Sequence, residues 1–181
     1  MSRRIVVMGC AGAGKSVLAR RLAAHWRLTY IARDDLAGPG QNTPEFRAAV
    51  ERATAAEGWV FDGTPFAVED LVIPRADLVV FLDYSRARVT TRAIRRALRV
   101  LVTGRPDGPH QRENPLHWLQ PAHPVRWSWS SQPRRRQQLC ELMAAAPAEK
   151  QHFRRPLETR RWLRASGGRI RQSARRLRPG G

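Results

Sequence analysis

The sequence predicts an α/β domain, a parallel sheet with helices on both faces. Three observations lead there. Apolar runs suited to buried strands recur at 5–8, 28–31, 59–61 and 77–82. Helical patterns lie between them, and alternating strands and helices select a parallel sheet. Between the first apolar run and the first helix stands Gly9-Cys10-Ala11-Gly12-Ala13-Gly14-Lys15-Ser16, which reads G-x-x-x-x-G-K-S.

The elements follow in order. Strand 1 is expected at about 3–8 and helix 1 at about 15–26. Leu28-Thr29-Tyr30-Ile31 forms strand 2, which runs to Asp34-Asp35. Gly38-Pro39-Gly40 is a loop. Thr43 caps the next helix with Pro44 at its first position; Phe46, Ala49, Val50 and Ala53 line one face, and Gly58 ends it. Trp59-Val60-Phe61 is strand 3, and strand 4 covers 77–82 and ends at Asp83. A helix at about 85–102 carries Val89, Ala93, Ala97 and Leu101 on one face and Arg88, Arg92, Arg95 and Arg99 on the other. Seven Pro and Gly residues interrupt 103–124, a length that marks a lid or a disordered segment. Residues 125–146 are helical, Gln151-His152-Phe153 is a weak edge strand, and Pro156 opens a last short helix. From Ser166 to Gly181 a basic, flexible tail is expected, leaving 1–165 as the folded domain.

The glycine-rich motif carries the chemistry. Its glycines let backbone N–H groups close around a di- or triphosphate; Lys15 reaches the β/γ-phosphates and Ser16 ligates Mg²⁺. The helix N-terminus that follows adds positive dipole. The nucleotide-holding set is Gly9, Cys10, Ala11, Gly12, Ala13, Gly14, Lys15, Ser16 and Val17. In a parallel sheet ligands bind at the carboxyl ends of the strands, where Asp34, Asp35, Asp62 and Asp83 also arrive. Asp62, at the end of strand 3 beside the loop, is the best candidate for a carboxylate that holds the metal through its water shell, or else a cap for the following turn. Asp34 orients an acceptor hydroxyl or accepts its proton, a role open to Asp35 as well. Asp83 has N-capping as its expected job.

Composition bounds the rest. The chain has 181 residues and a net charge of +18, nearly all from arginine, since Lys15 and Lys150 are the only lysines. From residue 150 onward the only acid is Glu158. Clustered arginine suits nucleic-acid phosphates, but a basic nucleotide site plus a solvated tail explains it as well. No stretch is long enough to span a membrane and no signal-peptide pattern is present. Cys10 and Cys140 form no disulfide framework and fit reduced thiols in a cytoplasmic protein. The histidines show no metal-ligand spacing. A motor or switch is disfavoured, because no apolar strand ends in Asp-Glu. No Asn-Lys-x-Asp guanine-reading motif occurs either, which points to ATP over GTP.

The pieces together resemble the adenylate-kinase-like P-loop kinases, and most closely the topology-modulation (FlaR-like) branch. The residues that carry the resemblance are the loop at 9–16, Asp34-Asp35-Leu36, W-V-F-D-G at 59–63 and A-D-L-V-V-F-L-D at 76–83. Further along come Arg92, Arg95 and Arg96, G-R-P-D at 104–107, R-W-S-W at 126–129 and Phe153-Arg154-Arg155-Pro156. The resemblance implies a P-loop NTPase sheet of five parallel strands in the order 2-3-1-4-5, with an arginine-rich lid closing over ATP. It implies that Arg92, Arg96 and Arg105 contact the ATP phosphates, Arg92 and Arg105 as catalytic groups beside Lys15 and Asp34. It names no acceptor. At Asp62-Gly63-Thr64-Pro65-Phe66 this chain lacks the arginine that would follow the proline in an adenylate kinase.

The expected function is therefore a kinase moving the γ-phosphoryl of ATP, with Mg²⁺, to a small-molecule or nucleotide acceptor. The alternative is a nucleic-acid-associated NTP-binding protein that uses its basic tail.

Overall fold

A computed structural model describes residues 3–10, 12–37, 43–85, 91 and 124–176, with side chains of 133–166 in the last segment. Its order is β1 (Arg4–Gly9), α1 (Lys15–Trp26), β2 (Thr29–Ala32), α2 (Arg33–Leu36), α3 (Pro44–Ala53), β3 (Trp59–Asp62), α4 (Glu69–Val72), β4 (Leu78–Leu82), α5 (Pro124–Ala145), β5 (Glu149–Phe153) and α6 (Pro156–Arg176). The five strands form one all-parallel sheet in the order β2-β3-β1-β4-β5, as the resemblance implied.

Side-chain alternation along β1 divides the core into two layers. Val6 and Met8 join Phe46 and Val50 of α3, Val72 of α4, and Leu139 and Met143 of α5. Ile5 and Val7 point the other way, to Leu18, Ala19 and Leu22 of α1 and to Phe153. Trp162 of α6 closes that second layer, 5.5 Å from Phe153 and edge-on to Trp26 at 6.4 Å. The continuous apolar runs of β1 and β4 thus reflect cover on both faces.

Several elements differ from expectation. The helix Pro44–Ala53 stops before Gly58, because Thr54 turns its hydroxyl back to Val50 O at 2.9 Å and ends the run. The N-cap is as expected, with Thr43 Oγ1 accepting from Phe46 N. Asp34 and Asp35 lie in the single turn α2 rather than at a strand end. The last helix runs past residue 166 to Arg176, where a tail was expected; Arg, Ala and Gln favour helix enough to carry it through Gly167-Gly168. No helix among the described residues is long and apolar enough to cross a membrane.

Trp59 anchors the centre. It is fully buried, and its Nε1–H donates to Thr54 O at 3.1 Å. Trp59→Ala opens a large cavity and strands that carbonyl, so a loss of about 4 kcal/mol is expected in urea unfolding. A loss under about 1 kcal/mol would contradict this packing.

Candidate active site

The glycine-rich loop takes its shape from backbone constraints. At Gly9 (φ 154°) a Cβ would stand 2.7 Å from the Leu82 carbonyl oxygen of β4, so no side chain fits. Gly12 and Gly14 have φ of 78° and 92°. Gly14 is the N-cap of α1, no side chain caps that helix, and its first turn contains no acid. The first-turn N–H groups and the helix dipole are therefore left for an anion. Lys15 Nζ reaches back across the loop to donate to Cys10 O at 3.1 Å. Burial pushes the Lys15 ammonium below its usual pKa; Asp62, Cys10 and Asp34 oppose that shift and Arg135 adds to it. A bound polyphosphate would restore the charge that burial disfavours. Ser16 and Val17 are exposed at the start of α1.

Asp62 ends β3, in register with Val7 of β1 and Ala32 of β2. It is buried, and it is held by Tyr30, whose hydroxyl donates to Oδ2 at 2.6 Å. Burial and that bond push the Tyr30 hydroxyl up to about 12, so it stays a donor. This bond favours the site reading of Asp62 over a turn cap. A buried carboxylate and the Ser16 hydroxyl are hard oxygen donors that suit Mg²⁺, which takes its other ligands from water and phosphate. Asp34 lies in α2 with its side chain 84% exposed, and it is near enough to Lys15 to influence it. Asp35 is exposed beside it.

Side chains that the sequence reading passed over complete the rim. Tyr30 is one. Arg33, at the start of α2, is buried, with its guanidinium 5.1 Å over the Phe46 ring and Nη2 donating to Phe66 O at 3.4 Å. The loop that contains Phe66 is pinned by Arg47, which donates to Ala67 O at 2.7 Å and pairs with Asp70 at 2.6 Å. Arg135 of α5 exchanges charge effects with Lys15, Cys10 and Arg33, and burial lowers its pKa. The run Arg134-Arg135-Arg136 was the only signal, and in sequence it resembles any solvated basic stripe.

The helix start that Asp83 was expected to cap lies outside the described residues; within them Asp83 meets α5 and β5. Its carboxylate takes a two-pronged bond from Arg136, with Nε to Oδ1 at 2.6 Å and Nη2 to Oδ2 at 2.7 Å. His152 Nε2 lies 3.0 Å from Oδ2, its ring stacked on Phe81. Burial alone would raise the Asp83 pKa; the bonds from Arg136 and then His152 outweigh it and hold the carboxyl below its usual value. This cluster ties α5, and with it Arg135, to the end of β4. Ala11, Arg92, Arg96 and Arg105, the arginine-striped helix and the lid at 103–124 lie outside the described residues.

Asp83→Asn is expected to cost about 1.5–3 kcal/mol in urea unfolding at pH 7. A carboxyl with a depressed folded-state pKa stabilises above its unfolded value and loses that contribution as pH falls through the folded one. The gap between wild type and Asp83→Asn should therefore shrink below about pH 4; an equal gap at pH 3 and pH 7 would remove the ion pair from the account.

No family model matches the chain, and no curated protein matches it. Solved structures do. A shikimate kinase from Acinetobacter baumannii, in complex with shikimate, is 16% identical with a TM-score of 0.55, covering 98% of this chain and 97% of that one. A gluconokinase from Sinorhizobium meliloti is 19% identical with a TM-score of 0.53, covering 95% of each chain. The YorR protein of Bacillus subtilis, in complex with phosphorylated GDP, is 14% identical with a TM-score of 0.53, covering 94% of this chain and 95% of that one. The FlaR-like branch gains no specific support from these likenesses. At such identities they establish the fold, and the chain has that of the P-loop kinases.

Proposed function

We propose that this chain is an ATP-dependent phosphotransferase acting on a small-molecule acceptor. The observation that carries the reading is a glycine-built anion cradle with an inward lysine, sharing one sheet rim with Asp62 and Asp34. Phosphoryl transfer needs charge neutralisation and in-line positioning more than covalent chemistry. Gly9 through Val17 hold the triphosphate, and Lys15 neutralises charge that builds on it. Ser16 and Asp62 serve the Mg²⁺ that accompanies ATP. Asp34, exposed and adjacent, orients the acceptor hydroxyl and takes its proton. Arg92, Arg96 and Arg105 are added phosphate contacts on the strength of the sequence resemblance. The fold's likeness to kinases that bear the names of small acceptors supports the small-molecule reading over nucleic-acid association.

The test is a purified-protein screen of acceptors with labelled ATP, run beside Lys15→Ala. Lys15→Ala should weaken ATP binding and lower transfer on the order of 10²–10³-fold while the circular dichroism spectrum is kept. Unchanged ATP affinity and turnover in folded Lys15→Ala protein would defeat the kinase reading. Arg105→Ala should lower transfer by on the order of 2–4 kcal/mol in the transition state, with far less effect on nucleotide affinity. Equal losses in both would instead make Arg105 a nucleotide anchor.

A further inference from the structure

Arg33 is more than nine-tenths buried, yet its charge has little to answer it. Its nearest carboxylate, Asp34, is 3.9 Å away and mostly in solvent. Its one hydrogen bond, to Phe66 O, is long at 3.4 Å. Its Nε is buried and has no partner. A guanidinium offers five N–H donors, and burying one without matching acceptors is costly. Arg135 is a further cation near enough to feel the positive charge of Arg33.

The position explains the arrangement. Arg33 follows β2 directly, and its stem lies over Gly63, where a Cβ would be 2.9 Å from Arg33 Cβ. Gly63 follows Asp62. Arg33 therefore stands on the β2–β3 side of the rim, next to Asp34. The Phe46 ring, 5.1 Å from the guanidinium carbon, gives the cation an apolar support that satisfies none of its N–H donors.

We propose that Arg33 recognises an anionic group, a carboxylate or a phosphate, on the phosphate acceptor. The proposal rests on the kinase reading and deepens it, because it selects acceptors that carry a hydroxyl beside Asp34 and a negative group at Arg33. It also accounts for an anion site in a chain that has Phe66 in place of an arginine after Pro65.

The experiment uses matched acceptors: glycerol, glycerate and glycerol 3-phosphate, and ribose, ribonate and ribose 5-phosphate. Transfer from labelled ATP is measured with wild type and Arg33→Gln, and thermal unfolding verifies the fold. The charged members should be used and the neutral ones not. Arg33→Gln should raise the acceptor KM about 10- to 150-fold, with the KM for ATP little moved. Whether the carboxylate or the phosphate member is preferred identifies the group. Equal use of neutral members, or an unmoved acceptor KM in Arg33→Gln, overturns the proposal and leaves the kinase reading standing. If no member is phosphorylated, the same charged compounds are titrated against wild type and Arg33→Gln by tryptophan fluorescence, with and without an unhydrolysable ATP analogue and Mg²⁺. Arg33-dependent binding supports the anion site whatever becomes of transfer, and absence of binding overturns it. Should Arg33→Gln fail to fold, Arg33→Lys, which keeps the charge and loses the fork, carries the same KM comparison.

Discussion

The rim that could hold a nucleotide depends on how β1 is built into the sheet. Ile5, Val6, Val7 and Met8 are all fully buried between β3 and β4 and under helices on both faces. A strand so enclosed cannot shift its register without moving apolar side chains to the wrong layer. Its end therefore arrives at a fixed height, and Gly9 meets the Leu82 carbonyl at a distance no Cβ allows. The chain then turns into α1 through the positive φ of Gly12 and Gly14. Packing of a few apolar residues thus sets the height at which the glycine-rich loop begins.

Electrostatics follows from that placement. Lys15, Arg33 and Arg135 are all at least partly buried; Arg135 acts on Lys15, and Arg33 on Arg135. Asp62 answers part of this charge, but its carboxylate already accepts from Tyr30. Cations that gather in this way lose hydration and repel, and the cost falls when anions bind among them. Asp34 is left open to solvent.

The cluster of Asp83, Arg136 and His152 has a different task. It fastens α5 across the end of β4 while β5 closes the sheet edge beside it. Because Arg135 and Arg136 are neighbours on one helix, the clamp on one sets where the other is carried. Leu139 and Met143, one turn and two turns on, bury the same helix against the core. Apolar packing holds α5 to the sheet, and the charged pair sets its rotation.

Much of this was legible from residue order alone. Strands built of continuous apolar runs, helices between them and a glycine-lysine-serine loop at the first turn are local patterns, and local sterics and hydrophobic periodicity decide them. Thr43 and Pro44 announced their helix start for the same reason, and Asp62 could be placed because it ends a strand beside that loop. Arg33, Tyr30 and Arg135 were not legible. Each acts on a group from another element: Tyr30 on Asp62 across 32 positions, Arg33 over a loop 30 or more positions away, Arg135 against a loop more than a hundred residues earlier. Asp83 read as a cap because sequence sees only its neighbours, whereas its partner Arg136 comes 53 positions later. The sequence by itself determined the parallel sheet and the glycine-lysine-serine loop at its first turn. Only the tertiary structure decided which arginines are buried at the rim, because burial of a charge depends on what folds over it.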